Sequence, residues 1–226
     1  MRMWWFITTL VITAAFICNS PAYAYDNNPL QDICVAVSDS EASVFVNGNI
    51  CKDPKLATPN DFYFPSLNIS KVVYPNYGIG ATFVGVQDMP GLNTLGMSIC
   101  RIEFEPQGHA PLHTHPRATE LITVLEGTLY VAFLVPDPAD FFTSRLFSKI
   151  LYPGDVFVFP RGLIHFQYNV GDTKTVVFGN FNSQNSGIVT FPSSIITSQP
   201  LIVDDIIALG VQLNKTEIAE LRKKFS

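Results

Sequence analysis

The sequence predicts an all-β fold, an antiparallel sandwich or barrel, on two observations. From Thr82 to Thr197 short apolar, β-branched runs alternate with breaks of Gly, Pro, Asn and Asp, the spacing of strands joined by tight reversals. No helix-period segment separates those runs, and parallel pairing requires such crossovers. With 47% hydrophobic, 12% aromatic and 15% charged residues and a net charge of −5, the chain can fill a core. The same balance excludes a disordered tail and a basic nucleic-acid binder. Its 226 residues suit one core, because all-β domains commonly reach this size.

Residues 1–24 read as a signal peptide. Arg2 precedes an apolar run from Trp4 to Ile17, and Ala22-Tyr23-Ala24 puts small residues at the two positions a signal peptidase reads. That run is too short for a membrane anchor, and no later segment reaches the ~20 apolar residues a spanning helix needs. A secreted mature chain starting at Tyr25, with no membrane association, is therefore expected. Residues 25–80, rich in Asp, Asn and Pro, read as an N-terminal arm crossing the barrel surface. Secretion permits disulfides. Cys34 and Cys51 flank a short polar stretch and are expected to pair, closing a loop worth about 3 kcal/mol in chain-entropy models. Cys100 shares a strand face with Ile102 and Phe104, opposite Arg101 and Glu103, which reads as a buried thiol. The sequons Asn68-Ile69-Ser70 and Asn214-Lys215-Thr216 mark Asn68 and Asn214 as glycan acceptors. Asn214 has a competing role, since with Glu217 three residues on it resembles a capping box.

The barrel is expected over 81–199, with strands at Met97–Phe104, Glu120–Leu125, Thr128–Val135, Asp155–Phe159, Leu163–Tyr168, Thr175–Asn180 and Gly187–Phe191. After Pro200 the period changes. Residues 200–226 read as two short helices, Leu201–Leu209 and Lys215–Phe225, separated at Gly210, with Ile218, Leu221 and Phe225 on one stripe. That stripe must bury itself on the barrel or on a neighbouring subunit.

Three of the four histidines lie in two places: His113-Thr114-His115 with Glu120 following, and His165 within the segment 160–169. Residues two apart on a strand face one side, so His113 and His115 can address one point. Pro116-Arg117 breaks that strand and resets the register, which lets Glu120 turn inward on the next one, while His165 comes from a later strand. Three imidazoles and one carboxylate make a mixed site for a divalent transition metal, and the hard carboxylate with open positions favours Mn(II) or Fe(II) over zinc. Gln167 and Asn169 can orient ligands from behind. His109 reads as a solvated loop residue without a metal role.

These residues carry a resemblance. Gly108-x4-His113-x-His115-x4-Glu120-x6-Gly127, then Pro160-x4-His165-x3-Asn169, resembles the two sequence boxes of the germin and germin-like proteins, a plant branch of the cupin superfamily. His115-Pro116-Arg117-Ala118-Thr119-Glu120 and the arm from Pro29 to Ala36 are similar as well. The resemblance implies a cupin jelly-roll barrel and manganese held by His113, His115, Glu120 and His165. It also implies a Cys34–Cys51 disulfide, an extracellular glycoprotein of the apoplast or cell wall, and a trimer-of-dimers homohexamer clasped by C-terminal helices. Activities in the family diverge, from oxalate oxidases to superoxide dismutases, auxin binders and phosphodiesterases. Where the oxalate-oxidising germins place two asparagines near the metal, this sequence has Cys100 and Ala110, and Gln107 replaces the first of a glycine pair. Losing such contacts to a buried dianion costs roughly 1–3 kcal/mol each, so oxalate oxidation is not expected.

Three functions follow for comparison: an extracellular manganese superoxide dismutase linked to plant defence, a metal-dependent receptor for small carboxylates such as auxin, and a structural wall glycoprotein. Four converging ligands speak against the last, since a purely structural barrel does not require them.

Overall fold

The computed structural model describes residues 54–70 and 72–225. The expected signal peptide, most of the arm and the Cys34–Cys51 pair lie outside the described residues. Among those described, the strands run β1 (Val72–Tyr74), β2 (Ile79–Val84), β3 (Ser98–Phe104), β4 (His109–Thr114), β5 (Glu120–Glu126), β6 (Leu129–Asp137), β7 (Asp140–Leu151), β8 (Val156–Phe159), β9 (His165–Asn169), β10 (Thr175–Phe181) and β11 (Val189–Thr190). Helices α1 (Ser193–Ile196), α2 (Asp204–Val211) and α3 (Lys215–Phe225) follow.

Period-two burial explains the architecture. Cys100, Ile102 and Phe104 of β3 point inward, as do Glu120, Ile122 and Val124 of β5 and His165, Gln167 and Asn169 of β9. Such strands need a second apolar layer. They form two antiparallel sheets, β1-β2-β3-β10-β5-β8 and β11-β4-β9-β6-β7, in which sequence neighbours are repeatedly separated in space. This interleaving is a jelly-roll. Phe104, Ile122, Val124, Leu129, Val131 and Val177 fill the space between the sheets, each worth roughly 1.5–3 kcal/mol of burial.

Several expectations shift. The first sheet begins at Val72, inside the stretch read as an arm, because Pro75, Asn76 and Gly78 interrupt what is otherwise a β1–β2 hairpin. The longest strand, β7, was absent from the sequence reading: it pairs with β6 from Leu151 back to Asp140, yet Ser144, Arg145, Ser148 and Lys149 hide its period. At the C-terminus the helical break falls at Gln212, which takes the left-handed conformation at φ 55°, while Gly210 stays inside α2. Within the chain, the stripe Ile218, Leu221 and Phe225 does not bury on the barrel. It packs with Ile196 and Ile207 into a separate small core, and Arg222 ties the three helices by bonding Asp204, the Ile196 carbonyl and the Ile202 carbonyl. Asn214 forms the expected capping box, its Oδ1 accepting from the Glu217 amide at 3.0 Å and its own amide donating to Glu217 Oε2 at 2.7 Å.

Candidate metal centre

The site lies between the two sheets. His113, near the end of β4, sits directly opposite His165 of β9 in the register of one sheet, with ring centroids 4.2 Å apart. His115 follows just beyond β4. Pro116 and Arg117 then carry the chain across to the other sheet, where Glu120 opens β5 and points back at the imidazoles. The sequence reading of a broken strand and a reset register therefore describes how the carboxylate arrives. One potential ligand atom from each of His113, His115, Glu120 and His165 lies within 4.8 Å of the others, and all four side chains are buried.

Backbone carbonyls fix which ring edges face the interior. Nδ1 of His113 lies 2.7 Å from the Pro111 carbonyl, that of His115 lies 2.6 Å from the Gly187 carbonyl, and that of His165 lies 2.8 Å from the Leu163 carbonyl. A carbonyl only accepts, so each Nδ1 carries the proton and each neutral ring turns a bare Nε2 inward. The Nε2 atoms of His165 and His115 stand 3.2 and 3.5 Å from Glu120 Oε2. Nitrogen lone pairs and a carboxylate directed at one point repel unless a cation or added protons lie between them. At His113 protons are disfavoured: burial, then the neighbouring His165, pushes its pKa to about 3 against the opposing pull of Glu120. Burial raises the Glu120 carboxyl, but its close contacts with His115 and His165 outweigh that and hold it well below the ordinary carboxylate range. A carboxylate and three imidazoles, each with its outer nitrogen already bonded, fit a divalent transition metal.

The support around the donors was only partly legible. Gly179 of β10 lets the carboxylate approach, because a Cβ there would lie 2.8 Å from both Glu120 Oε1 and Cys100 Sγ. Arg117, buried, donates to the Asn185 carbonyl at 2.9 Å and to Asn185 Oδ1 at 3.1 Å, and its amide bonds the Ser186 carbonyl. This clamp holds the loop whose Gly187 carbonyl orients His115. Sequence reasoning missed Gly179, Arg117 and Gly187, since each acts through residues distant in sequence. Asn169, expected to orient ligands, instead closes one barrel end. Its Nδ2 reaches the carbonyls of Phe104, Glu105 and Thr173, and its Oδ1 accepts from the Gly171 amide. His109 is not a solvated loop residue. It opens β4, half-buried, with its ring edge-on to Tyr77 at 5.5 Å.

A cavity of about 220 Å³ opens over the donors. His113, His115, Glu120 and Gln167 line its polar end, and Ile79, Ala81, Ile102, Ala110, Phe181 and Ile188 line much of the rest. Cys100 also lines it, fully buried, its thiol pushed well above its ordinary pKa by burial and then by Glu120. The expectation of a buried thiol holds.

The family model for cupins matches residues 66–219. A germin-like protein of Arabidopsis thaliana, subfamily 1 member 13, is 47% identical over 96% of this chain and 96% of its own. The chain belongs to the germin-like proteins. Solved relatives place this germin-like chain on the cupin jelly-roll. A recombinant oxalate oxidase in complex with glycolate superposes with a TM-score of 0.76 at 38% identity, covering 89% of this chain and 98% of that one. Peruvianin-I, a cysteine peptidase from Thevetia peruviana latex, superposes with a TM-score of 0.61 at 36% identity, covering 73% of this chain and 97% of that one.

Proposed function

We propose that this germin-like protein is an extracellular manganese protein that dismutates superoxide, with iron(II) as the alternative metal. The observation that carries the reading is the convergence of three carbonyl-oriented imidazoles and the Glu120 carboxylate beneath an accessible cavity. His113, His115, Glu120 and His165 would hold the ion. When bound, manganese supplies one-electron exchange, so that two superoxide ions and two protons become one dioxygen and one hydrogen peroxide. The residues' part is to keep the donor set buried, oriented and deprotonated, and to leave the cavity side open to a small molecule. The test is a dismutase assay on metal-replete protein beside His165→Ala. Activity confined to the wild type supports the reading, and equal activity in both ends it.

Oxalate turnover is not part of the proposal. The oxalate oxidase relative holds glycolate, but the cavity wall here offers Cys100 and Ala110, and among the described residues no Lys, Arg or Asn lines it. A second carboxylate would be desolvated against apolar atoms. Among the described residues the free cysteine is Cys100, and burial there opposes the thiolate that a nucleophilic cysteine needs. A second reading, a receptor for small carboxylates such as auxin that binds without turnover, is favoured by the largely apolar cavity over the donors.

The extracellular placement rests on the signal-like residues 1–24 and extends to the Cys34–Cys51 disulfide and glycans. Asn68 is exposed in a turn and Asn214 is engaged in its capping box, which makes Asn68 the freer acceptor. A homohexamer accords with the apolar surface that α2 leaves uncovered, where Ile206 and Leu209 are 62% and 80% exposed.

A further inference from the structure

The cavity over the donors exceeds what superoxide requires: about 220 Å³ against the roughly 30 Å³ share of one water molecule in the liquid. Its lining is divided. At the floor lie three of the donors, His113, His115 and Glu120, and Gln167, which follows His165 by two residues on the same inward face of β9. Gln167 is 1% exposed, and its Oε1 has no hydrogen-bond partner among the described residues. A buried amide oxygen left without a donor is costly, so a molecule seated here gains by bringing one. The wall facing the donors is apolar, built by Ile102, Ala110, Phe181 and Ile188.

Taken with the metal reading above, on which this rests, the lining specifies three features of a ligand. It needs one anionic oxygen for the metal, one hydroxyl to donate to Gln167 Oε1, and a remainder without charge. We propose that the cavity binds small 2-hydroxy monocarboxylic acids with an apolar side chain. The carboxylate is held at the four-donor centre, the hydroxyl donates to Gln167, and the side chain lies against Ile102 and Phe181. Gln167 is thereby the residue that selects hydroxy acids from plain acids, and the apolar wall selects them from dicarboxylates.

The test is calorimetric titration of the manganese-loaded full chain with 2-hydroxy-3-methylbutanoate, 3-methylbutanoate, glycolate and oxalate, with bound metal measured on the same samples. The branched hydroxy acid should bind about tenfold tighter than 3-methylbutanoate, which lacks the donor. It should also bind tighter than glycolate, which lacks the side chain, and tighter than oxalate. Gln167→Leu should abolish the advantage of the branched hydroxy acid over 3-methylbutanoate, read as the ratio of the two affinities on the same variant. Should that variant fail to fold, the two ligands that differ only by the hydroxyl still test the same contact on the wild type. Equal affinities, or oxalate binding tightest to protein carrying its metal, would overturn the ligand assignment alone. Protein that takes up no metal overturns the metal reading and this one with it.

Discussion

The Gly187 carbonyl stands 2.6 Å from Nδ1 of His115, across 72 residues of sequence, and fixes the direction of that imidazole. Gly187 itself has φ 65°, and a Cβ on it would lie 2.6 Å from an Arg117 guanidinium nitrogen. The loop carrying the carbonyl and the arginine that clamps it are therefore fitted to each other.

That fit predicts a variant remote from the donors that loosens the metal. Gly187→Val should strain the backbone and push the Arg117 clamp aside, releasing His115. We expect a loss of about 10–100-fold in metal affinity with the sheets intact. Competition with a chelator, followed alongside far-ultraviolet circular dichroism, checks it; unchanged affinity would remove the loop from the account.

Metal removal should lower thermal stability. A ligand present at about a hundred times its Kd adds about 2.7 kcal/mol, and for a chain of this size each kcal/mol moves Tm by about 2–4 °C. Calorimetric scans with manganese and with a chelator should thus separate by several degrees. Glu120→Gln should show little separation.

Acid should unfold the metal-free protein through the same residues. Burial brings His113 from 6.5 to about 3, so between those values the unfolded chain binds a proton that the folded chain refuses. Stability is complete above about 6.5 and is lost as pH falls toward about 3. Glu120, held below its ordinary 4.5, adds a further loss below that value, since the unfolded carboxyl protonates first. Urea midpoints measured across this range should fall with pH, and His113→Gln should flatten the upper part of the slope.

The cavity wall yields a gain-of-contact prediction. Placing carboxamides at positions 100 and 110 supplies the N–H donors that Cys100 and Ala110 lack. The double variant Cys100→Asn, Ala110→Asn should bind oxalate roughly five- to a hundredfold tighter than wild type, on the order of 0.5–1.5 kcal/mol for each of the two hydrogen bonds gained. Titration calorimetry reads this directly.

Much of this was legible in the sequence because strands write their burial with a period of two. Cys100, Ile102 and Phe104 alternate with charged neighbours, and so β3 and its buried thiol could be read. The four donors were legible for a chemical reason: His113, His115, Glu120 and His165 are ionisable residues at inward positions of apolar runs. The twelve-residue β7 was not, because its apolar residues come as adjacent pairs, Phe141-Phe142, Leu146-Phe147 and Ile150-Leu151, and so show no period of two. Asn169 misled, since an inward amide near a histidine has the same sequence signature whether it serves an ion or holds turn carbonyls. The destination of the C-terminal stripe was not legible: the periodicity of Ile218, Leu221 and Phe225 states that a face is buried, but only the fold shows that α1 and α2 pack against it within the chain.

Elemental analysis of the purified protein, beside Glu120→Gln and His165→Ala prepared identically, tests the central claim most directly. The account predicts close to one manganese or iron ion per chain in the wild type and a loss of at least about tenfold in occupancy in each variant. Equal metal content in all three, or none in the wild type after loading with manganese or iron, would contradict it.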